Sequence, residues 1–164
     1  MNRSFILSVF LVVLFAPVCL ATGDPYRTDS PVEFTLQRLG GGSVSSAEFR
    51  GQWVVLNYWA TWCAPCRKEI PELVELHEAR DDITVLGLAY EEAEEAEFEA
   101  FLEAFEPNYP ILLVDVADPP KPFGAPRVLP TTIVLDPRGR AIGGFAGPVT
   151  RVDLEAFIDE APVP

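Results

Sequence analysis

An α/β domain with a mixed central sheet flanked by helices is the fold class this sequence predicts. Two runs, Trp53–Trp59 and Ile83–Ala89, are almost continuously apolar and β-prone, the composition of strands buried on both faces. The segments that follow them, Pro65 to about Arg80 and Glu91 to Phe105, repeat their apolar residues at helical spacing. Two more strands are expected at Ile111–Val116 and Thr132–Leu135, and a turn at Pro137-Arg138-Gly139 leads into another at Ala141–Phe145. A helix over Arg151–Ile158 closes the order. Crossovers through helices give parallel neighbours and the hairpin gives antiparallel ones, so the sheet is mixed.

Ahead of these elements, Val32–Leu36 alternates in the manner of a strand and Gly40-Gly41-Gly42 makes a turn. In the first long helix Ile70, Leu73, Val74 and His77 share a face; in the second the apolar face is Phe98, Phe101, Leu102 and Phe105. Eight glutamates between Glu91 and Glu106 are expected to form a solvated surface. A length of 164 residues with no repeat or low-complexity linker fits one domain. The net charge of −13, uninterrupted by a basic cluster, would repel a phosphate backbone and argues against nucleic acid as a partner.

The first 23 residues have the character of an export signal. Arg3 is the only charge before Asp24, and Phe5–Phe15 is apolar but for Ser8. Small residues follow, so cleavage after Ala21 or Gly23 is expected. The alternative is an uncleaved membrane anchor, because Phe5–Ala21 reaches the lower limit of a bilayer span. Either way the rest of the chain lies outside the cytoplasm, with residues 24–31 as a polar tether. Cys19 belongs to this segment, and bulky Val18 before it departs from a lipoprotein pattern. The remaining cysteines are Cys63 and Cys66 alone, so redox chemistry is the first question for an exported chain.

Cys63-Ala64-Pro65-Cys66 falls at the junction of a buried strand and a helix. At a helix N-terminus, unpaired N–H groups and the positive end of the dipole stabilise an anion, so the Cys63 thiol should ionise below the roughly 8.5 of a free cysteine. Cys66, one turn further, faces the same side and is more covered. Cys63 is therefore the attacking thiolate and Cys66 the resolving one. Pro65 suits the first turn, where its missing N–H has no helical partner. A structural disulfide closing so small a loop would stabilise little. A zinc site would need two more ligands, and past residue 23 only His77 is added to the two cysteines as a soft or imidazole donor. His77 itself is expected to be a solvated or partly covered helix residue.

The stretch Val55–Pro71, with Asn57, Trp59, Trp62, Cys63, Cys66, Glu69 and Pro71, and the later Leu129-Pro130-Thr131-Thr132, resembles the extracytoplasmic thiol-disulfide oxidoreductases of the TlpA/ResA/DsbE (CcmG) family. The resemblance runs from Phe34 to Ile158. It implies a thioredoxin-like domain over residues 32–160, with an N-terminal β extension and a helix–strand insertion at Glu91–Pro110. It also implies a redox-active Cys63–Cys66 disulfide, a cis peptide before Pro130, and an acid, Glu69, near the cysteines. Glu69 is either that buried proton relay or an ordinary exposed helix residue. Trp59, Trp62, Pro65, Leu129, Pro130 and Thr131 are the residues expected to frame the thiols and a client segment, although aromatics this close to a buried strand can equally be core. Pro71 matches a helix kink. Where the wider thioredoxin pattern has a buried acid, this chain has Asn57, which moves any proton relay to Glu69 or water.

The implied activity is reduction of disulfides in other exported proteins, apocytochrome c or metal-site assembly proteins, with no cofactor and no metal. The implied partners are those clients and a membrane thiol-disulfide electron donor, in the bacterial periplasm or at the outer face of the membrane. A disulfide-forming oxidase is the alternative enzyme, which a redox potential would separate. A copper-handling module is the alternative of another class, opposed by the lack of a Met or His beside Pro130 and testable by Cu(I) titration.

Overall fold

The computed structural model describes residues 24–121 and 123–162, so the expected signal or anchor at residues 1–23, including Cys19, lies outside the described residues. The elements are β1 (Thr35–Arg38), β2 (Ser43–Ser45), a 3-10 turn (Ser46–Phe49), β3 (Trp53–Trp59), α1 (Ala64–Ala79), β4 (Ile83–Ala89), α2 (Glu95–Phe105), β5 (Ile111–Leu113), β6 (Thr131–Leu135), β7 (Ala141–Ala146) and α3 (Arg151–Asp159). The strands form one sheet in the order β2-β1-β5-β4-β3-β6-β7. β3, β4 and β5 run parallel, with Asn57 beside Gly87 and Gly87 beside Ile111. β6, β7, β1 and β2 join antiparallel, which makes the sheet mixed as expected.

Connectivity places the helices. The β3–α1–β4 and β4–α2–β5 crossovers step across the sheet in the same direction, and right-handed crossovers then put both helices on one face. α3 joins them there: Ile70, Leu73 and Leu76 of α1, Phe98 and Phe101 of α2, and Leu154 and Ile158 of α3 bury one core against Val55, Val85 and Val134. The opposite face carries Val54, Leu56, Tyr58, Leu86, Leu88 and Ile133, covered by irregular chain that presents Tyr26, Phe34, Phe49, Tyr90 and Phe123. Both faces of β3 and β4 are thus dry, which is why their sequences show no alternation.

Several expected boundaries move. The first strand begins at Thr35 rather than Val32, because the Val32 N–H pairs with Gly139 O (2.7 Å) and its side chain packs under the sheet. β2 and the turn after it are additional elements; Ser45 caps the turn, its Oγ accepting the Ala47 N–H (3.3 Å) and its own N–H donating to Glu48 Oε1 (2.7 Å). α2 starts at Glu95, four residues later than its glutamate-rich pattern suggests. Residues 24–28 lie along the edge strand β7: Thr28 exchanges bonds with Ala141 (2.9 and 3.0 Å), and the Gly144 N–H donates to Asp24 Oδ2 (3.3 Å). Such a covering segment blunts an edge that would otherwise invite strand addition.

Candidate active site

β3 ends at Trp59 and the chain reaches α1 through Ala60-Thr61-Trp62-Cys63. A turn closes with the Cys63 N–H on Ala60 O (3.1 Å), and the Cys63 carbonyl accepts the first helical bond from Arg67 N (3.2 Å). Cys63 is the N-cap of α1, and its Sγ accepts from the Cys66 N–H at 3.3 Å. A helix N-terminus leaves such N–H groups without backbone partners, and here one of them points at sulfur. Pro65 occupies the first turn without cost. Cys63 and Cys66 are joined as a disulfide, with Cys63 4% exposed and Cys66 fully buried. Both cysteines are buried, Cys66 the more completely.

Glu69 is buried, 2% exposed, on the inner face of α1. Its Oε1 accepts from Asn57 Nδ2 (2.6 Å) and its Oε2 from the Val149 N–H (3.1 Å). The same Asn57 amide donates to Thr132 Oγ1 (3.0 Å) on the neighbouring strand. Burial pushes the Glu69 carboxyl up to about 7, against the two hydrogen bonds that favour its charged form. Of the two sequence expectations for Glu69, the exposed helix residue is therefore excluded. Asn57 cannot be a base, yet it holds the residue that can.

The Leu129–Pro130 peptide is cis, as the resemblance implies. Pro130 is buried and its carbonyl accepts from Gly147 N (2.9 Å), while Thr131 opens β6 opposite Tyr58. That register sets the Leu129–Pro130 bond at the end of β3 from which the cysteine loop departs. Two framing residues differ from a surface role. Trp59 is 2% exposed and stacks on Phe101 at 4.3 Å, in the same core cluster as both cysteines, so it supports the site from beneath. Thr131 is buried, its hydroxyl spent on Val128 O (2.7 Å). By contrast Trp62, beside Cys63, and Val128, beside Leu129, stand out in solvent at 66% and 45% exposure.

His77 is partly covered, accepting on Nδ1 from the Val85 N–H (3.3 Å) and lying edge-on to Tyr109. Burial lowers its pKa. It takes no part in the cysteine site. Among the described residues no group of three or more His, Cys, Asp or Glu is arranged to hold a metal ion.

Glu91, expected from its neighbours to be solvated, is half-buried. Its carboxylate takes the Thr61 N–H on Oε1 (2.5 Å) and the Thr61 hydroxyl on Oε2 (3.0 Å), while Arg67 Nε donates to Thr61 O (2.7 Å). Every polar group of Thr61, two residues before Cys63, is held.

A helix-capping cysteine, a second cysteine one turn inward and a buried acid on a mixed sheet define a thioredoxin-like thiol-disulfide oxidoreductase. The sequence profile of the AhpC/TSA family matches residues 28–141, and the chain belongs to this family. It is 32% identical over 131 residues to the thiol-disulfide oxidoreductase ResA of Geobacillus kaustophilus, covering 77% of this chain and 73% of that protein. Among solved structures it resembles a DsbF homologue from Corynebacterium diphtheriae (36% identity, TM-score 0.70, 80% of this chain and 86% of the other). It also resembles a secreted thiol-disulfide isomerase from Corynebacterium glutamicum (31% identity, TM-score 0.66, 76% and 80%).

Proposed function

We propose that this oxidoreductase works outside the cytoplasm as a reductant of disulfides in other exported proteins. The observation that carries the reading is Cys63 Sγ at the α1 N-cap, accepting the Cys66 N–H, with the fully buried Cys66 behind it. In the reduced enzyme the Cys63 thiolate attacks one sulfur of a client disulfide. An S–S bond forms to Cys63, the client S–S bond breaks, and one client sulfur leaves as thiolate. Cys66, deprotonated, then attacks the Cys63 sulfur and expels the second client thiolate. The client gains two electrons and two protons, and the enzyme is left with the disulfide seen in the structure. A membrane dithiol donor reverses that oxidation by the same exchange.

Glu69 is the group assigned to take the Cys66 proton, since a carboxyl that titrates near 7 exchanges protons readily at neutral pH. Trp62 and Pro65, with Leu129 beside the buried Pro130, form the surface on which a client segment lies, and exposed Val128 extends it. Clients such as apocytochrome c or metal-site assembly proteins fit this chemistry, as does export by residues 1–23, cleaved or kept as a tether. The secreted relative supports the location.

The test is Cys66→Ser expressed with its signal in a bacterial host. This variant attacks but cannot resolve, so clients are expected to accumulate on Cys63 as complexes that dithiothreitol releases, with exported proteins among them. Folded protein carrying no thiol-linked partner would oppose the reading.

A further inference from the structure

The geometry points to Glu91 as a positioning residue for thiol-disulfide exchange: by gripping Thr61 it fixes the loop that presents Cys63 at the N-terminus of α1. Glu91 lies in the loop between β4 and α2, outside the cysteine loop and its helix. It is half-buried, unlike the exposed Glu92, Glu94, Glu95 and Glu97 that follow. Its two oxygens are used separately, one on the Thr61 N–H and one on the Thr61 hydroxyl. The neighbouring Tyr90 N–H donates to Trp59 O (2.9 Å), which extends the β3–β4 pairing to the residue where the loop begins. On the other side Arg67, one residue past Cys66, holds the Thr61 carbonyl. The loop is thus tied to the sheet through Glu91 and to the helix through Arg67, with Cys63 two residues beyond the knot.

This arrangement matters because the stabilisation of a thiolate by helix N–H groups falls off steeply with geometry. The Cys66 N–H reaches Cys63 Sγ at 3.3 Å, a close contact for a hydrogen bond to sulfur, and a loop that swings outward loses it. A negative charge near the thiol acts in the opposite sense, opposing ionisation. The two effects of Glu91 therefore have opposite signs, and substitutions separate them. Alanine removes grip and charge together. Glutamine removes the charge but keeps both contacts, its oxygen accepting the Thr61 N–H and its amide donating to the Thr61 hydroxyl oxygen.

The inference rests on the exchange chemistry of Cys63. The experiment measures alkylation of Cys63 by iodoacetamide against pH in the reduced full-length protein, for the wild type, Glu91→Ala and Glu91→Gln, with melting temperatures alongside. Glu91→Ala is expected to move the midpoint to higher pH and to slow alkylation at pH 6 by about fivefold or more. Glu91→Gln is expected to return the midpoint to the wild-type value or below. A midpoint in Glu91→Ala that is unchanged or lower overturns the proposal, because Glu91 then acts as a nearby charge or not at all. Should Glu91→Ala fail to fold, Thr61→Val takes its place: it deletes the hydroxyl contact, leaves the charge, and must raise the midpoint for the proposal to stand. A wild-type midpoint equal to that of free cysteine would instead count against the exchange mechanism itself, which keeps the two failures distinct.

Discussion

Cys63→Ser is expected to reduce disulfide exchange to the uncatalysed rate while leaving the fold in place. A serine hydroxyl at this position does not ionise near neutral pH and forms no bond to a client sulfur that Cys66 could resolve. Cys66 cannot substitute, since it is fully buried beneath the first turn of α1. The fold should survive because the lost disulfide closes a loop with a sequence separation of only 3, too short to restrict the unfolded chain much. Reduction of insulin in the presence of dithiothreitol, followed by turbidity, measures this directly. Cys66→Ser makes the contrast in the absence of dithiothreitol, reacting once with a client and stopping at the mixed disulfide. Turnover in Cys63→Ser above background would assign the chemistry elsewhere.

The second large effect is on stability, and it comes from Glu69. Its carboxyl ionises near 7 in the folded protein, against an ordinary value of 4.5, because burial disfavours the charge more than Asn57 and Val149 favour it. The folded state therefore holds the Glu69 proton more tightly than the unfolded state. Its contribution is complete below about pH 4.5 and is lost as pH rises through about 7, a total on the order of 3 kcal/mol. Urea unfolding of the oxidised protein and of Glu69→Gln across pH 4.5–8.5 tests the sign. The wild type is expected to lose ground to the variant between about pH 4.5 and 7 and to hold a constant difference above that. Other acids contribute to both curves and cancel in the difference, whereas the fixed cost of aiming a glutamine amide at the Asn57 or Val149 donors shifts only the offset. Parallel curves would mean that Glu69 does not titrate in this window.

In the proposed exchange this buried carboxyl is the acceptor of the Cys66 proton. Exchange requires Cys66 to lose a proton in the dark interior of the domain, where solvent cannot collect it. Glu69, one turn away, is the carboxyl among the residues that α1 buries alongside Cys66.

What was legible in the sequence follows from how local each cause is. β3 and β4 announce themselves because burial on both faces writes a continuous apolar run. The N-cap position of Cys63 is equally local, set by a strand ending at Trp59 and a proline in the next helix turn. β2 is three residues long and polar at both ends, too short for an alternating pattern to show. Glu69 was undecidable because its partners, Asn57 and Val149, lie 12 and 80 residues away. The tryptophans separate by element: Trp59 ends β3, which is buried on both faces, whereas Trp62 follows in the loop and is exposed. Glu91 was hidden by its neighbours, since one structural glutamate looks like the seven solvated ones that follow it. Only the meeting of the β4–α2 loop with Thr61, thirty residues back, distinguishes it.

The account depends on the Cys63 sulfur being ionised at the head of α1 when the enzyme is reduced. Alkylation of the reduced wild-type protein by iodoacetamide, followed by mass across pH 4–10, reads that ionisation without a client or an electron donor. The expected profile has Cys63 reacting at a midpoint well below the roughly 8.5 of a free cysteine, with Cys66 protected until much higher pH. A Cys63 midpoint at the free-cysteine value, or Cys66 reacting first, would contradict it.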